Sequence, residues 1–417
     1  MITTVPMKNL KSTLFILLSF SISTHATDAD LKTQLQKLEA QFAEFKKAQD
    51  SGPTAKESST NIGGYGEFVY HNYSKESSRS MFDFKRFVLT VGHRFNDQIS
   101  LESEFEVEHA VTSYEDSGEV AMEQAFINYR FQNGLNLKGG LFLMPFGYIN
   151  LYHEPPVFYG VLRNDIETRI IPSTWREGGI ALSSANDSAI KWEAGLVTGL
   201  NVANFESQEN PLADMRQKTM KAKASDLAVY GALGYSGWLG TNIGLAVYTG
   251  NSTQNNAAFK DDSANPDFTG LDGRVTLYDV HGRWQRYGFD LQALYARGSI
   301  GDAGAINDAI SAYNTTVPVK ERKTFVPNEF YGWLLQAAYT VWTHGDMSLA
   351  PFVRLERFNT QADMPNGYAS NALTADRVVT AGLSFKPHRN VVVKSDYQKY
   401  SDNPRNDKFN MGLGYMF

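Results

Sequence analysis

Residues 99–108 have the sequence Ile-Ser-Leu-Glu-Ser-Glu-Phe-Glu-Val-Glu, in which apolar and acidic side chains alternate. Successive side chains of a β-strand point to opposite faces, so one face is apolar and the other carries Glu102, Glu104, Glu106 and Glu108. Four carboxylates in a row cannot face lipid. The stretch therefore predicts a wall strand of a transmembrane β-barrel, with its glutamates in an aqueous lumen.

The composition of the whole chain favours the same class. Its 417 residues include 21 Tyr, 26 Phe and 34 Gly but only 14 Pro, which is typical of all-β proteins. No apolar run reaches the roughly 18 residues that a transmembrane helix needs. The absence of cysteine excludes disulfides and cysteine-based sites, and a net charge of −6 gives no support to a nucleic-acid partner.

The period-two pattern recurs along the chain and predicts an antiparallel barrel of about 16 strands. The expected strands are 62–72, 81–94, 99–109, 121–131, 135–146, 176–185, 189–199, 225–236, 241–250, 272–285, 287–297, 329–341, 347–358, 374–386, 390–400 and 407–417. The connections between them alternate between tight turns and longer polar loops. Short turns at one end and long loops at the other are typical of outer-membrane barrels.

The N-terminus predicts export. Lys8 and Lys11 precede a compact apolar run over 14–20, and Thr24-His25-Ala26 is a small-residue cleavage site. This arrangement predicts a signal peptide over 1–26. It implies passage out of the cytoplasm before the barrel inserts into the outer membrane of a Gram-negative bacterium.

A short heptad follows the signal. Leu31, Leu35, Leu38, Phe42 and Phe45 are spaced four, three, four and three residues apart, which predicts a periplasmic coiled-coil helix over 27–48. An amphipathic helix lying on the barrel is the alternative. The polar, Gly/Pro/Ser-containing residues 49–60 then form a linker to the barrel domain, 61–417.

The segment 147–175 does not fit a strand. It contains three prolines and five aromatic residues, so it is unsuited to a sheet ladder and too apolar to extend into water. We expect it to fold into the lumen as a constriction loop. The alternative is an extracellular loop packed on its neighbours or on an adjacent subunit.

The same region resembles a known family. The sequence PFG at 145–147, HEPP at 153–156, FYG at 158–160 and IIPSTWREGG at 170–179 is similar to the phosphate-selective porin O and P family. The resemblance implies a homotrimer of barrels in which each chain has its own water-filled pore for passive diffusion of small hydrophilic solutes. The final residue, Phe417, resembles the terminal aromatic that the barrel-assembly machinery recognises.

Charged residues of the loop and of the wall are the candidates for the constriction. The predicted set is Arg163, Asp165, Glu167 and Arg169 on the loop, with Arg86, Glu102, Glu104, Glu106 and Arg176 on the wall. Opposed acidic and basic rows would give a transverse field that selects solutes by charge. An alternative for the loop is a set of internal ion pairs, Arg163 and Arg169 with Glu167 and Asp165. The residues leave open whether anions or cations are preferred.

Two other classes of function compete with a pore. An outer-membrane hydrolase would need a nucleophile and base, but none of the eight histidines lies in a recognisable catalytic motif. An adhesin or structural barrel would use the long loops at 200–224, 251–271 and 298–328, which the polar composition predicts to be solvated. We expect no enzyme activity, no cofactor and no metal site; Asp261, Asp262 and Asp267 do not have calcium-loop spacing.

Overall fold

A computed structural model describes residues 59–113, 118–186, 188–256 and 266–417. The predicted signal peptide, the heptad helix and residues 49–58 of the linker lie outside these residues. The strands are β1 Thr60–Tyr73, β2 Met81–Arg94, β3 Ile99–Glu108, β4 Val120–Arg130, β5 Leu135–Leu143, β6 Arg176–Ser184, β7 Ile190–Thr198, β8 Leu227–Tyr235, β9 Thr241–Gly250, β10 Val275–Arg286, β11 Phe289–Ile300, β12 Glu329–Tyr339, β13 Trp342–His344, β14 Met347–Asp363, β15 Ala375–His388, β16 Val391–Tyr400 and β17 Lys408–Met416.

The strands form one closed antiparallel barrel. Each long strand pairs with its sequence neighbours, and β1 pairs with both β2 and β17, so the first and last strands seal the sheet. The three-residue β13 is an addition that pairs only with β14. The prediction of a barrel of about 16 strands is confirmed.

Alternating exposure shows which face of each strand is the outer one. On β17, Phe409, Met411 and Leu413 are exposed, whereas Asn410 between them is fully buried. The glutamates of β3 follow the same rule, because Phe105 is exposed on the outside while Glu104 and Glu106 are buried inside. The wall is therefore apolar outside and polar inside, as a lipid-embedded barrel requires.

The terminal residue completes the seal. The Phe417 backbone N–H donates to Gly64 O at 2.9 Å and its carbonyl accepts from Gly64 N at 3.1 Å. The Phe417 ring stacks against Phe87 with centroids 6.3 Å apart. The last residue thus extends the β1–β17 ladder, which otherwise ends at Met416.

Two β-bulges interrupt the alternation in neighbouring parts of the wall. In β2, Arg86 pairs with Glu67 but Phe84 pairs with Phe68, so Lys85 is an extra residue. In β4, Gln124 pairs with Glu104 but Met122 pairs with Phe105, which makes Glu123 the extra residue. Because a bulge lets two consecutive side chains point to the same side, both Lys85–Arg86 and Glu123–Gln124 face the lumen.

The described parts of the long loops contribute apolar side chains to a core on one side of the barrel interior. Helix α1, Ala303–Asn314, lies in the connection between β11 and β12, and its Ile306 and Ile310 are buried. They belong to an apolar core that also contains Phe146, Trp175, Leu200, Val202, Phe268 and Phe330. The expectation of solvated loops is therefore wrong for the described parts that supply these apolar residues, because the residues come together on the β6–β12 side.

The other helical elements are single turns. They are Ser77–Arg79, Pro155–Val157, Ile166–Ile170, Val202–Asn204, Val319–Glu321, Ala372–Thr374 and Pro404–Asn406. None of the helices in the described part of the chain has the length and apolar character needed to cross a membrane.

The outer face allows a direct test of the lipid boundary. Leu383 is exposed near the middle of β15, so Leu383→Arg should lower the free energy of unfolding from phospholipid vesicles by about 2–4 kcal/mol. Leu383→Ala, which adds no charge, is the matched control and should cost much less. Equal losses from the two substitutions, measured by guanidinium titration with tryptophan fluorescence, would contradict this assignment of the face.

Candidate functional site: a charged passage beside the inner loop

The segment 144–175 between β5 and β6, here called the inner loop, crosses the barrel interior and contacts the opposite wall. The Tyr148 hydroxyl donates to Ala293 O of β11 at 2.9 Å, and Val161 N donates to Asp396 Oδ2 of β16 at 2.6 Å. Lys394 Nζ of β16 donates to Gly160 O at 2.9 Å. The prediction that this loop folds into the lumen is confirmed.

Glycines in the wall let the inner loop approach closely. A Cβ on Gly414 would lie 2.2 Å from Pro155, one on Gly332 would lie 2.7 Å from Ile166, and one on Gly412 would lie 3.0 Å from Val161. A side chain at Gly414 or Gly332 would therefore push the loop away from β17 or β12. The loop path is determined by small wall residues as much as by its own sequence.

Glu167, predicted as a constriction residue, instead organises the loop from within. Its Oε1 accepts from Tyr148 N at 2.5 Å and from Ile149 N at 2.7 Å, and its Oε2 accepts from Asn164 Nδ2 at 2.6 Å. Burial raises the pKa of this carboxyl against the effect of these donors. Gly147 beside it has φ +63°, and a Cβ there would lie 2.2 Å from Glu167 Oε1, so the turn requires glycine.

The open space lies on the other side of the loop, against β2, β16 and β17. A cavity of about 160 Å³, here called the basic cavity, is lined by Lys85, Arg86, Leu162, Arg163, Asp165, Thr168, Arg169, Ser173, Gln398, Tyr400 and Lys408. A second cavity of about 390 Å³ shares Asp165, Thr168, Arg169 and Ser173 with it and adds Glu209, Asn210, Ala213 and Arg216. The two cavities are therefore adjacent, and together they are called the charged passage, with the second cavity toward the long-loop end.

The loop residues predicted to form the constriction are brought together here, apart from Glu167. Arg169 Nε lies 2.8 Å from Asp165 Oδ1, and its Nη1 lies 2.9 Å from Glu209 Oε2. Arg163 donates to the hydroxyls of Ser173 and Thr174 at 2.5 and 2.7 Å. The expected internal pair of Arg169 with Asp165 exists, whereas Arg163 does not pair with Glu167.

Four cations along the passage have no carboxylate oxygen within 4.0 Å among the residues that the structure describes: Lys85, Arg163, Arg216 and Lys408. Burial lowers the pKa of Arg163, and the neighbouring Arg86 lowers it further. Burial and Arg176 together lower the pKa of Arg216 to about 10. Burial is the larger cause in both cases, and the neighbouring guanidinium group adds to it.

The wall glutamates do not oppose this positive charge as an open acidic row. Glu102 lies in a separate cavity of about 500 Å³ at the short-turn end, with Arg94 and Arg130. Glu106 Oε1 is 2.9 Å from Arg86 Nη1, and Glu67 Oε1 is 2.9 Å from Arg86 Nε. Glu67 and Glu106 therefore form ion pairs with Arg86.

Glu104 and Arg176 lie away from the passage, in a buried cluster. Glu104 Oε2 accepts from Gln124 Nε2 at 2.7 Å, and Arg176 Nη1 lies 3.7 Å from Glu123 Oε1. His153 of the inner loop completes the cluster. Neither residue lines the basic cavity.

Several residues of the passage and of the buried cluster were not among the predicted set. Lys85 and Glu123 are displaced inward by the bulges, and the only sequence signal is a pair of adjacent polar residues within an otherwise alternating strand. The alternation along β17 places Lys408 on the lumen-facing side, but it does not give the position of the side chain along the barrel axis. Arg216 comes from a loop that the sequence predicted to be solvated.

A closed barrel of sixteen long strands with a loop folded into its lumen defines an outer-membrane porin. Residues 62–158 match the family described as Phosphate-selective porin O and P. A protein of Aquifex aeolicus (strain VF5), described as uncharacterized, is 33% identical over 362 residues, which are 85% of this chain and 79% of that protein. The chain belongs to the phosphate-selective porin O and P family.

Solved porins have the same fold. The OmpF of Salmonella typhi in complex with daunomycin superposes with a TM-score of 0.55 at 13% identity, over 86% of this chain and 97% of that one. An anion-selective porin from Comamonas acidovorans gives a TM-score of 0.50 at 10% identity, over 87% and 100%. At these identities the likeness concerns the fold alone.

The role of Glu167 can be tested directly. Glu167→Ala leaves the buried N–H groups of Tyr148 and Ile149 without their acceptor, which should cost about 1–3 kcal/mol and loosen the inner loop. We expect larger current fluctuations through single channels and faster proteolysis within 144–175. Glu321→Ala, which removes an exposed carboxylate that lines neither cavity, is the control; the same behaviour in both variants would rule out this role.

Proposed function

We propose that this chain forms a water-filled channel in the outer membrane of a Gram-negative bacterium, through which small hydrophilic solutes diffuse passively and anions pass preferentially. The observation that carries the anion preference is the set of four cations without a carboxylate partner along the described passage. The wall acids that would favour cations are buried against Arg86 or lie at the other end of the barrel.

The passage offers an anion a sequence of weak sites. At the long-loop end it would meet Arg216 and Arg169, and then Arg163, Lys85 and Lys408 in the basic cavity. Hydroxyl groups of Thr168 and Ser173 line both cavities and can replace part of the hydration shell of an anion. Several adjacent sites of modest affinity allow both entry and release, which conduction requires.

We also propose that the preferred anion is phosphate or another oxyanion. Guanidinium groups bind oxyanions through paired N–H donors, and an ammonium group adds a compact charge. The basic cavity contains both groups and belongs to a chain of the phosphate-selective family. Chloride would pass through the same sites with weaker binding.

Selectivity can be measured as the zero-current potential of the purified protein in a planar bilayer across a KCl gradient. We expect an anion-selective potential, with the chloride current reduced when phosphate is added. A cation-selective or neutral potential that is indifferent to phosphate would overturn the proposed anion preference. Absence of any conductance would favour the adhesin or structural alternative.

Substitutions that remove one positive charge at a time identify the residues that determine the anion selectivity. A unit charge about 8 Å from a permeating ion contributes about 2 kcal/mol at an effective dielectric constant of about 20, before screening by salt. Arg163→Gln and Lys85→Gln should therefore each lower the anion-to-cation permeability ratio by about threefold or more. Lys399→Gln is the matched control, because Lys399 is exposed on the outer face of β16; an equal effect of all three substitutions would contradict the assignment.

We further propose that the barrels assemble as a homotrimer in outer-membrane lipid, after insertion by the barrel-assembly machinery through the strand that ends at Phe417. The family resemblance supports the trimer, and the predicted heptad over 27–48 would stabilise it. No enzyme activity is part of the proposal, since a diffusion channel needs no catalytic group.

The oligomer can be tested by light scattering in detergent, where we expect three chains per particle. A protein that begins at residue 59 retains every strand of the barrel, because β1 starts at Thr60. It should still form trimers, which dissociate on heating at a lower temperature than those of the longer protein. Monomers in both proteins would refute the trimer, and equal dissociation temperatures would refute the stabilising role of the heptad.

A further inference from the structure

Three buried side chains from three different elements converge behind the basic cavity. Glu104 comes from β3, Glu123 from β4 and His153 from the inner loop, and they are exposed by only 6%, 0% and 5%. His153 Nε2 lies 3.6 Å from Glu104 Oε1 and 3.5 Å from Glu123 Oε2. One ligand atom from each residue lies within 4.8 Å of the other two.

These separations are too long for good hydrogen bonds but suit a shared ion. Metal–ligand distances of about 2.1 Å at tetrahedral angles place neighbouring ligand atoms about 3.4 Å apart. Hydrogen bonds of this kind would have heavy-atom distances of about 2.7–3.2 Å. Both distances from His153 to the carboxylates are therefore close to those of a tetrahedral cation site.

The surrounding hydrogen bonds orient the donors. His153 Nδ1–H donates to Asn150 O at 3.2 Å, which leaves the Nε2 lone pair directed at the carboxylates. Gln124 Nε2 donates to Glu104 Oε2, so the other oxygen of Glu104 faces the histidine. Partners of this kind fix the tautomer and the direction of metal-binding side chains in known sites.

Buried polar atoms at the cluster point to the same conclusion. Glu123 Oε1 and Oε2, His153 Nε2 and the Tyr65 hydroxyl have no hydrogen-bond partner among the described residues. Glu123 owes its inward position to the β4 bulge, so the fold places a buried carboxylate here against the strand alternation. Such groups are costly unless a proton, a cation or a metal ion satisfies them.

The local charge is also unbalanced. Four carboxylates, Glu67, Glu104, Glu106 and Glu123, are more than nine-tenths buried here, whereas the buried guanidinium groups are Arg86 and Arg176. These six buried groups carry a net charge of −2, and the half-buried Arg163 and Lys85 line the basic cavity next to them. A divalent cation held by Glu104, Glu123 and His153 would neutralise the six buried groups.

We propose that Glu104, Glu123 and His153 bind one divalent transition-metal ion of the Zn²⁺ class, which fastens the inner loop to strands β3 and β4. An imidazole with two carboxylates suits zinc better than Ca²⁺ or Mg²⁺, which prefer oxygen ligands in larger number. A tetrahedral ion takes its fourth ligand from outside these three residues. The ion has a structural role here, since the three side chains are enclosed.

A proton is the competing occupant of the Nε2 lone pair. Burial would lower the pKa of His153, but the two carboxylates outweigh this effect and raise it to about 9. A protonated His153 would form an ion-paired cluster without a metal. Direct measurement of bound metal distinguishes the two occupants.

The experiment uses the full-length protein, folded in detergent, stripped with EDTA, incubated with ZnCl₂ and dialysed before elemental analysis. We expect one zinc per chain, with affinity reduced at least about tenfold in His153→Gln and Glu123→Gln. Glu102→Gln is the matched control, because Glu102 has the same parity on β3 but lies at the short-turn end. Less than stoichiometric zinc, or affinity unchanged in both cluster variants, would overturn the proposal.

A second measurement decides the matter if the variants do not fold. Co²⁺ added to the stripped wild-type protein should give the intense visible bands of a tetrahedral site, and Zn²⁺ should abolish them. A spectrum equal to that of Co²⁺ in buffer would overturn the proposal. Neither measurement depends on conductance, so a failure here would leave the channel function untouched.

Discussion

The structure depends on the requirement that backbone N–H and C=O groups inside a bilayer be paired within the protein. A sheet with a free edge cannot satisfy this requirement, and the β1–β17 ladder removes the edge. Closure in turn fixes the two faces of every strand. Because one face must be apolar toward lipid, the other can carry charges such as Arg86, Glu106 and Asp396 that a soluble β-protein would place outside.

The interior of this barrel is divided in two. On the β6–β12 side, the inner loop, helix α1 and the neighbouring loops form an apolar core around Phe146 and Trp175. On the side of β2, β16 and β17, the same loop faces Lys85, Tyr400 and Lys408 across open space. The inner loop therefore separates the apolar core on one side from the basic cavity on the other. Under the proposed function, a solute would pass through the charged half.

Most of the architecture could be predicted from the sequence, because one periodic signal repeats in every strand. Alternation at Glu102–Glu108 and at Phe409–Leu413 placed strands and faces, and the Pro-rich composition of 147–175 identified the inner loop. The position of a side chain along the barrel axis and its interaction partners could not be obtained in this way. Whether Glu167 lies in the constriction or behind it depends on contacts with Tyr148 and Asn164 in the folded loop, and not on its residue type.

Helix α1 and the two bulges were not predicted from the sequence, and the physical reasons differ. Helix α1 carries Ala303, Ile306 and Ile310 on one face, which is a helical signal, but the polar residues around it concealed the pattern. The bulged residues Lys85 and Glu123 break the very alternation on which the strand assignments rest. A rule based on strict parity assigns one of each adjacent polar pair to the lipid face.

At the two bulges, the charge that faces the lumen can change without a change in the strand pairing of the wall. Deleting one residue from a regular barrel strand turns every side chain beyond it to the opposite face. Lys85 and Glu123 are exceptions, because each stands outside the ladder and both flanks would keep their partners if it were lost. Single-codon insertion and deletion at such positions can add or remove an inward charge while the barrel stays in frame. The electrostatic character of the channel can therefore change during evolution without any redesign of the strands.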